Sequence, residues 1–407
     1  MSRAEGIRLN GLADWHRCPA LVVGLTVHGL AIARALSRRG IAVHCLSDVE
    51  ASLQPTVYTR YAKVHFRRGL NTGPLRDYLL DVAAEIGASE KIVLFPTSDR
   101  IAKAIARSWA DLRDHYQLSW ASCRDLVVEL QRKDMLAKYC DEANVEYPKS
   151  AVIARAEDIQ AIAAKLRFPI VVKPAQPLSS FKAIKVSAVS ELGGVVARYA
   201  NELPFVCQEW IEGPEPSLYA CTTYLDRGRA LFMFTSRKLA ASPPRVGQGT
   251  VFETVDNDEI RDIAARFLSR LDLSGPVAVE FKRDAAGRYW FIEPNVGRTE
   301  YCVDLAIQSG FDLPYLEYLH TVGGSVDAAI PTRTTGAVWF DTDKDPNCYL
   351  ANRHALRGPD GRKRRAVFPY LGHQDWKPFL ASFLQLAIIP LAGVGRRVSR
   401  ALSPSKA

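Results

Sequence analysis

The sequence predicts α/β and α+β domains in series, and three observations carry that reading. Helix-like and strand-like segments alternate through the first 150 residues, as in an open α/β unit. Two long strand–turn–strand stretches follow, one turning at Asp226-Arg227-Gly228 and one near Gly287. At 407 residues the chain exceeds one ordinary core, so two or three domains are expected.

The elements follow in order. "PALVVGLTVHGLAIARALSRRGIAVHCLSD" reads as a βαβ unit: a short buried strand Leu21 to Val23, a turn at Gly24, helical periodicity over 29–39, a stop at Gly40 and a second strand. Gly24 and Gly29 do not form G-x-G-x-x-G, so the unit reads as a Rossmann-like scaffold or substrate wall before it reads as a nicotinamide site. "KIVLFPTSDR" (91–100) is a buried strand whose polar exit, Ser98 and Asp99, either lines a cleft or caps a helix. Helical segments occupy roughly 101–144. "FPIVVKPAQP" is a β-branched strand carrying Lys173, and "FVCQEWIEGPEP" is a strand running into a Gly-Pro turn. The first hairpin, an amphipathic helix over 257–271 and the second hairpin, "GPVAVEFKRDAAGRYWFIEPN", complete the pass.

Composition narrows the class. Apolar residues make up 48% and charged residues 24%, as in a soluble globular protein. The eight cysteines form no C-x-x-C pair and read as buried thiols of a reducing cytoplasm. "MSRAEGIRLNGLADW" lacks an apolar signal core. The net charge of +9 is concentrated: residues from Ala351 onward hold eleven Lys/Arg and two acids, and the first 350 residues are neutral. A basic tail on a neutral body points to an anionic surface partner rather than to nucleic acid.

Three stretches carry chemistry. Glu280 and Glu293 lie on opposite arms of the second hairpin, where antiparallel pairing can set them side by side. Adjacent carboxylates repel unless a cation neutralises them, and with the Asn295 oxygen they suit magnesium; alternatively they face apart and meet Lys282 or Arg288. Lys173 follows Ile170, Val171 and Val172, so its ammonium needs an anion, either a phosphate or a nearby Glu. Gln208, Glu209, Trp210 and Ile211 end an apolar strand with backbone groups beside large side chains, as a flat purine ring requires.

Taken in order, Lys133, Lys173, "VCQEWIEGPEPSLYA", Glu280 and "FIEPN" resemble the ATP-grasp superfamily, and within it the carboxylate–amine ligases that include D-aspartate ligase-like enzymes. "FPTSDR", "RKDMLAKYCDEANVEYPKS", "FPIVVKPA" and "DLAIQSGFDLPYLEYLHTVGG" extend the likeness over roughly residues 20–325. The resemblance implies a Rossmann-like pre-ATP-grasp domain (1–125), a two-subdomain ATP-grasp fold (126–330, with 151–206 as its lid) and a basic extension (331–407). It implies that Lys133 and Lys173 hold the phosphates of ATP, that Glu209, Trp210 and Ile211 grip adenine through the backbone, and that Glu215 meets the ribose. Glu280, Glu293 and Asn295 would bind magnesium (or manganese), and Arg298, Arg237 and Lys238 would face the transferring phosphate or the substrate carboxylate. The implied reaction phosphorylates a small carboxylate and passes the acyl group to an amine.

Two departures stand out. Where the family often has Asn-Pro-Arg, this chain runs Asn295-Val296-Gly297-Arg298, and its flap, "AQPLSSFKAIK", has no glycine, leaving Ser179 and Ser180 as hydroxyl donors. Both keep open a nucleotide-binding pseudoenzyme or assembly module. Beyond the resemblance, "RGPDGRKRR" is a basic loop, and Phe379 to Val394 is an apolar run broken by Pro390 and followed by Arg396, Arg397 and Arg400. That run is too short for a good membrane span. It reads either as a helix on the inner face of an anionic membrane or as a helix packed on the body or in a homodimer.

Overall fold

The computed structural model describes residues 18–385 apart from 49–53, 71–72, 176–180, 182, 214–216, 245–246 and 331–334. Its first sheet holds β1 (Ala20–Val23), β2 (Val43–Ser47), β3 (Lys63–Phe66), β4 (Ile92–Pro96) and β5 (Tyr116–Gln117), all parallel, in the order β3-β2-β1-β4-β5. β1 and β4 are apolar throughout and buried on both faces, as central parallel strands must be. The chain leaves β1 through Gly24 at φ +98, where a Cβ would lie 2.2 Å from Thr97 Oγ1. Only glycine permits that turn. Thr97 donates to the carbonyls of Val23 (2.8 Å) and Gly24 (3.0 Å), so the carboxyl ends of β1 and β4 are laced together.

The second sheet is small and antiparallel: β6 (Ser150–Ile153), β7 (Ile170–Pro174), β8 (Ile184–Val186) and β9 (Phe205–Glu209), in the order β6-β9-β7-β8. It packs with the helices Ile159–Lys165 and Val189–Arg198 around its own core, in which Ile162, Ile170, Leu192 and Phe205 are buried. A separate core is what allows a unit to shift as one body.

The third sheet holds β10 (Leu218–Asp226), β11 (Arg229–Ser242), β12 (Gln248–Thr254), β13 (Gly275–Arg283), β14 (Tyr289–Val296), β15 (Ala337–Phe340) and β16 (Arg365–Val367), in the order β14-β13-β10-β11-β12-β15-β16. Both expected hairpins are present. The β10–β11 turn has Arg227 at φ 48 and Gly228 at φ 79, the paired positive angles of a two-residue hairpin turn. The helix Asp258–Leu268 buries Ile260, Ala264 and Phe267 against one face, in a core continuous with that of the first sheet.

The sheet does not stop near residue 330. β15 and β16 add two strands beyond that point, and the segment after them returns to the first domain. There Arg34, 5% exposed, donates through Nε to Asp375 (2.8 Å) and through Nη2 to the Tyr370 carbonyl (2.9 Å). Thr59 Oγ1 and the Arg60 amide complete the Asp375 carboxylate at 2.8 and 3.0 Å. The part of the expected extension through residue 385 is thus built into the body.

Glu317, on the helix Leu313–Thr321, is 2% exposed and has Ser119 Oγ at 2.7 Å. Burial raises its pKa from 4.5 to about 8. Between those values the unfolded chain releases a proton that the folded chain keeps, so this group lowers stability as pH rises through the window. Glu317→Gln should flatten the fall in melting temperature between pH 5 and 8 and stabilise the protein at pH 8 by about 1–3 kcal/mol. Thermal unfolding of both proteins across that range checks it.

Candidate active site

The three sheets converge on a cavity of about 850 Å³. The carboxyl ends of β1 and β4 supply one wall through His28, Thr97 and Asp99; β10 to β14 supply the floor; Pro174 and Phe181 come from the small sheet.

The floor follows from strand alternation. Glu280 and Glu293 are direct partners across β13 and β14, and Ala220 and Ser236 continue the same row into β10 and β11. Side chains along such a row share one face. The two carboxylates therefore stand together, each with a different hydrogen-bond partner. Lys133 Nζ donates to Glu293. Although burial opposes its charge, the Glu293 carboxylate holds the Lys133 ammonium above its usual pKa. Glu280 accepts from Asn295 Nδ2 at 3.0 Å, and Asn295 Oδ1 accepts from Arg298 Nη2 at 2.6 Å. Neither Lys282 nor Arg288, the cations nearest in sequence, is the partner: Lys282 stacks on Trp210 at 4.2 Å and Arg288 pairs with Asp284 at 3.0 Å.

Arg298 reaches back to the first domain, where its Nε donates to Asp99 Oδ1 at 2.5 Å. Ser98 caps the helix Asp99–Arg107 by accepting from the Ile101 amide at 3.2 Å, so the strand exit both caps a helix and lines the cleft. Gly297, at φ +71, makes the turn that offsets Arg298 by one residue, and a Cβ there would lie 2.7 Å from Val127 and 3.1 Å from Trp120.

Lys173 lies on β7 beside this floor. It donates to a neutral partner, Gln208 Oε1 at 3.1 Å. Burial and the charge of Lys133 push its pKa down to about 8. A lysine so placed is an ammonium short of an anion. Gln208 Nε2 and Ser236 Oγ are buried polar atoms without hydrogen-bond partners among the described residues, and Gln131, 9% exposed and lining the cavity, lacks partners at both amide atoms. Orphaned polar atoms on a cavity wall call for a polar ligand.

Lys238 lines the cavity and Arg237 does not. Adjacent strand residues point to opposite faces. Arg237 accordingly sits on the far face, donating through Nε to Glu253 at 2.7 Å, with Arg364 on the other Glu253 oxygen. The sequence offers Arg237 and Lys238 as a pair; the fold admits only Lys238.

Glu209, Trp210 and Ile211 border a second hollow of about 570 Å³ with Lys149 and Arg167. The amides of Glu209 and Trp210 are already bonded to the carbonyls of Lys149 (2.9 Å) and Pro169 (3.0 Å), so a ring cannot be held through those two donors. The Glu209 carboxylate is held by the Arg167 amide at 3.0 Å, and the Trp210 ring lies between Lys185 (4.5 Å) and Lys282 (4.2 Å). Glu215, Ser179 and Ser180 lie outside the described residues. Sequence reasoning missed His28, Gln131, Ser236, Glu300 and Tyr301, which line the cavity from separate elements and share no motif.

Gly24 turns tightly beside the Thr97 side chain, and the nicotinamide alternative still rests on two glycines, Gly24 and Gly29, without the spacing of a dinucleotide loop.

No family model matches the chain. By sequence it is similar to D-alanine–D-alanine ligases. That of Pseudomonas fluorescens (strain Pf0-1) is 29% identical over 191 residues, covering 44% of this chain and 59% of the relative. That of Pseudomonas entomophila (strain L48) is 28% identical over 169 residues, covering 38% and 51%. The chain thus matches roughly half the length of these curated relatives. By structure it is similar to the L-amino acid ligase from Bacillus licheniformis (TM-score 0.60, 16% identity, covering 78% of this chain and 79% of that one). It is also similar to N5-carboxyaminoimidazole synthase from Aspergillus clavatus in complex with ADP and 5-aminoimidazole ribonucleotide (TM-score 0.63, 9% identity, covering 86% and 92%). A third likeness is to the biotin carboxylase domain of Hydrogenobacter thermophilus 2-oxoglutarate carboxylase with MgADP and bicarbonate (TM-score 0.63, 15% identity, covering 78% and 73%). A parallel first sheet, a small antiparallel sheet and a large, mostly antiparallel floor, with these likenesses, show that the chain has the ATP-grasp fold.

Proposed function

We propose that the chain is an ATP-dependent, ADP-forming ligase that activates a small carboxylate and joins it to an amine. The observation that carries this reading is the convergence of Lys133 and Lys238 with the Glu280–Glu293 pair around one cavity between the first sheet and the floor, with Lys173 beside it within reach of the same charges. Cations supply contacts for a triphosphate, and paired carboxylates supply contacts for a divalent metal. The sequence likeness to D-alanine–D-alanine ligases supports the same chemistry.

The residues fit magnesium in donor type: two adjacent carboxylates and one amide oxygen, with phosphate oxygens to complete the shell. Bound there, the ion would neutralise charge on the transferring phosphoryl group. Lys133 would exchange Glu293 for a phosphate oxygen, and Lys173 would gain the anion it lacks. Arg298, held by Asp99 and Asn295, would orient the substrate carboxylate toward the phosphoryl group. The lid carries Lys173, so its closure would bring that ammonium onto the phosphates and exclude water. Adenine would occupy the Trp210–Ile211 hollow.

Phosphate release in the presence of MgATP, screened against L- and D-amino acids and acidic sugars, tests the assignment. Activity with at least one carboxylate–amine pair is expected; nucleotide binding without phosphate release from any pair would favour the pseudoenzyme reading. Glu293→Gln should abolish that release while the protein stays folded. Lys173→Met should separate two effects. It removes a buried, poorly compensated ammonium, so stability should rise by roughly 0.5–2 kcal/mol. MgATP affinity by calorimetry should fall at least about tenfold. Unchanged affinity would remove Lys173 from the site.

The C-terminal helix supports a second element of this reading, docking on an anionic lipid surface. Helical turns begin at Lys377, and Trp376, Leu380, Phe383 and Leu384 are 45–64% exposed, at spacings that share one face. Ser382, 5% exposed, holds the inner face through Asp343 at 2.8 Å. The apolar side therefore points outward, in a segment of the chain whose net charge is +9 from residue 351 onward. No helix among the described residues is long and apolar enough to cross a membrane. Such a face suits the interface of a bilayer with anionic head groups. The full chain should sediment with phosphatidylglycerol vesicles more than with phosphatidylcholine vesicles, and added salt or Phe383→Glu should weaken this. Equal sedimentation with both vesicles would overturn the docking, and a dimer lost in Phe383→Glu would identify a second copy as the occupant. Point changes are the right tool, since truncation near residue 346 would remove the partners of Arg34.

A further inference from the structure

Four carboxylates line the main cavity: Asp99, Glu280, Glu293 and Glu300. Asp99 is paired with Arg298 and Glu293 with Lys133, and Glu280 accepts from the Asn295 amide beside the proposed metal position. Glu300 is different. It is 8% exposed, accepts from the Thr222 hydroxyl, and has no ion pair among the described residues. Its other hydrogen-bonding neighbour is the Cys302 thiol, and the charges of Glu280 and Arg298 act on it from nearby. Arg298, two residues away, is turned to Asp99 and Asn295. His28, which also lines the cavity, supplies no cation: it has Thr97 O at 2.5 Å from Nε2, packs edge-on against Tyr301 at 5.7 Å, and is pushed down by burial to about pKa 4. A buried carboxylate whose hydrogen-bond partners are a hydroxyl and a thiol, with the nearby Arg298 committed to other groups, lacks a paired cation. Burial, with the Glu280 charge adding to it, pushes the Glu300 pKa up to about 7 against the opposing pull of the Thr222 hydroxyl and the Arg298 charge, as a carboxyl without a paired cation requires.

Building on the ligase reading, we propose that Glu300 is the counter-ion of the acceptor substrate, which enters as a primary ammonium group. The assignment follows from the inventory of charges: the cavity's other anions already have partners, and only a cation brought by substrate completes this one. It also gives the amine its reactive form. Glu300 takes one proton from R–NH3+, leaving R–NH2 with a free lone pair. The nitrogen attacks the acyl carbon of the acyl phosphate; the C–N bond forms and the C–O bond to phosphate breaks. Phosphate leaves with that electron pair and carries the second N–H proton as hydrogen phosphate. Glu300 then returns its proton to water. A carboxyl poised near neutrality suits that exchange. Ser236 Oγ, on the same face of the neighbouring strand and without a partner, is placed to hold the rest of the acceptor.

The probe is ethylammonium chloride, with acetamide as its neutral counterpart, added at tens of millimolar and constant ionic strength to the full chain saturated with MgADP. Ethylammonium should raise the melting temperature of the native protein above any effect of acetamide, and should not do so for Glu300→Gln. Glu300→Asp should retain part of the shift. Equal effects of the two probes on the native protein, or an unchanged ethylammonium effect in folded Glu300→Gln, would overturn the proposal. If Glu300→Gln does not fold, the comparison of probes on the native protein decides alone. Binding here needs no turnover, so failure of the ligase reading shows separately, as absent phosphate release. With any amine that supports release, Glu300→Gln should raise the KM for that amine at least about tenfold and leave the KM for ATP unchanged.

Discussion

The pairing of Glu280 with Glu293 is the constraint from which the rest of the site follows. Antiparallel register fixes the two residues opposite each other on one face of β13 and β14, and no side-chain rotation takes them far apart. Like charges at that separation are costly, so the fold must bring cations. It brings Lys133 from the connection after the first domain and, through Asn295, Arg298 from the end of β14. Arg298 in turn fixes Asp99 and so joins the floor to the first sheet. One repulsive pair thereby explains why residues from distant parts of the chain meet at a single place.

The arrangement is also incomplete in a consistent way. Lys173 lacks an anion, Glu300 lacks a cation, and Gln131, Gln208 and Ser236 hold unpartnered polar atoms. These groups lie in or beside the cavity rather than scattered through the body. A protein that met only its own folding requirements would have satisfied or replaced them. Their stored cost is what a charged ligand would relieve, and their signs ask for polyanion on one side and ammonium on the other.

Much of this was legible in the sequence because it is local. Hairpin turns declare themselves by Arg227-Gly228 and by Gly287, which bring Glu280 near Glu293; the turn's register alone would face Glu280 with Ile292, and a bulge between Glu280 and Phe281 makes Glu293 its partner. Lys173 was visible because a lysine among Ile170, Val171 and Val172 needs an anionic partner, a phosphate or a nearby Glu. The rest depends on distance in space. Nothing near Arg237 in sequence says that its face of β11 meets Glu253 rather than the cavity; that follows from which side the helix Asp258–Leu268 covers. Gln131 and Glu300 sit in unremarkable local contexts and become informative only when their neighbours are known. The last strands were missed for a related reason. β15 is a four-residue apolar run and β16 is three residues long, and each is held by a sheet built from residues a hundred positions earlier.

The account's central claim is that one polyanion and one metal ion complete the charges between Glu280, Glu293, Lys133 and Lys173. A crystal structure of the chain with magnesium and a non-hydrolysable ATP analogue tests it most directly. The account predicts metal density between Glu280 and Glu293, Lys133 moved from Glu293 to a phosphate oxygen, and Lys173 moved from Gln208 to another. Nucleotide bound elsewhere, or bound here with the Lys133–Glu293 pair intact and no metal between the carboxylates, would contradict it.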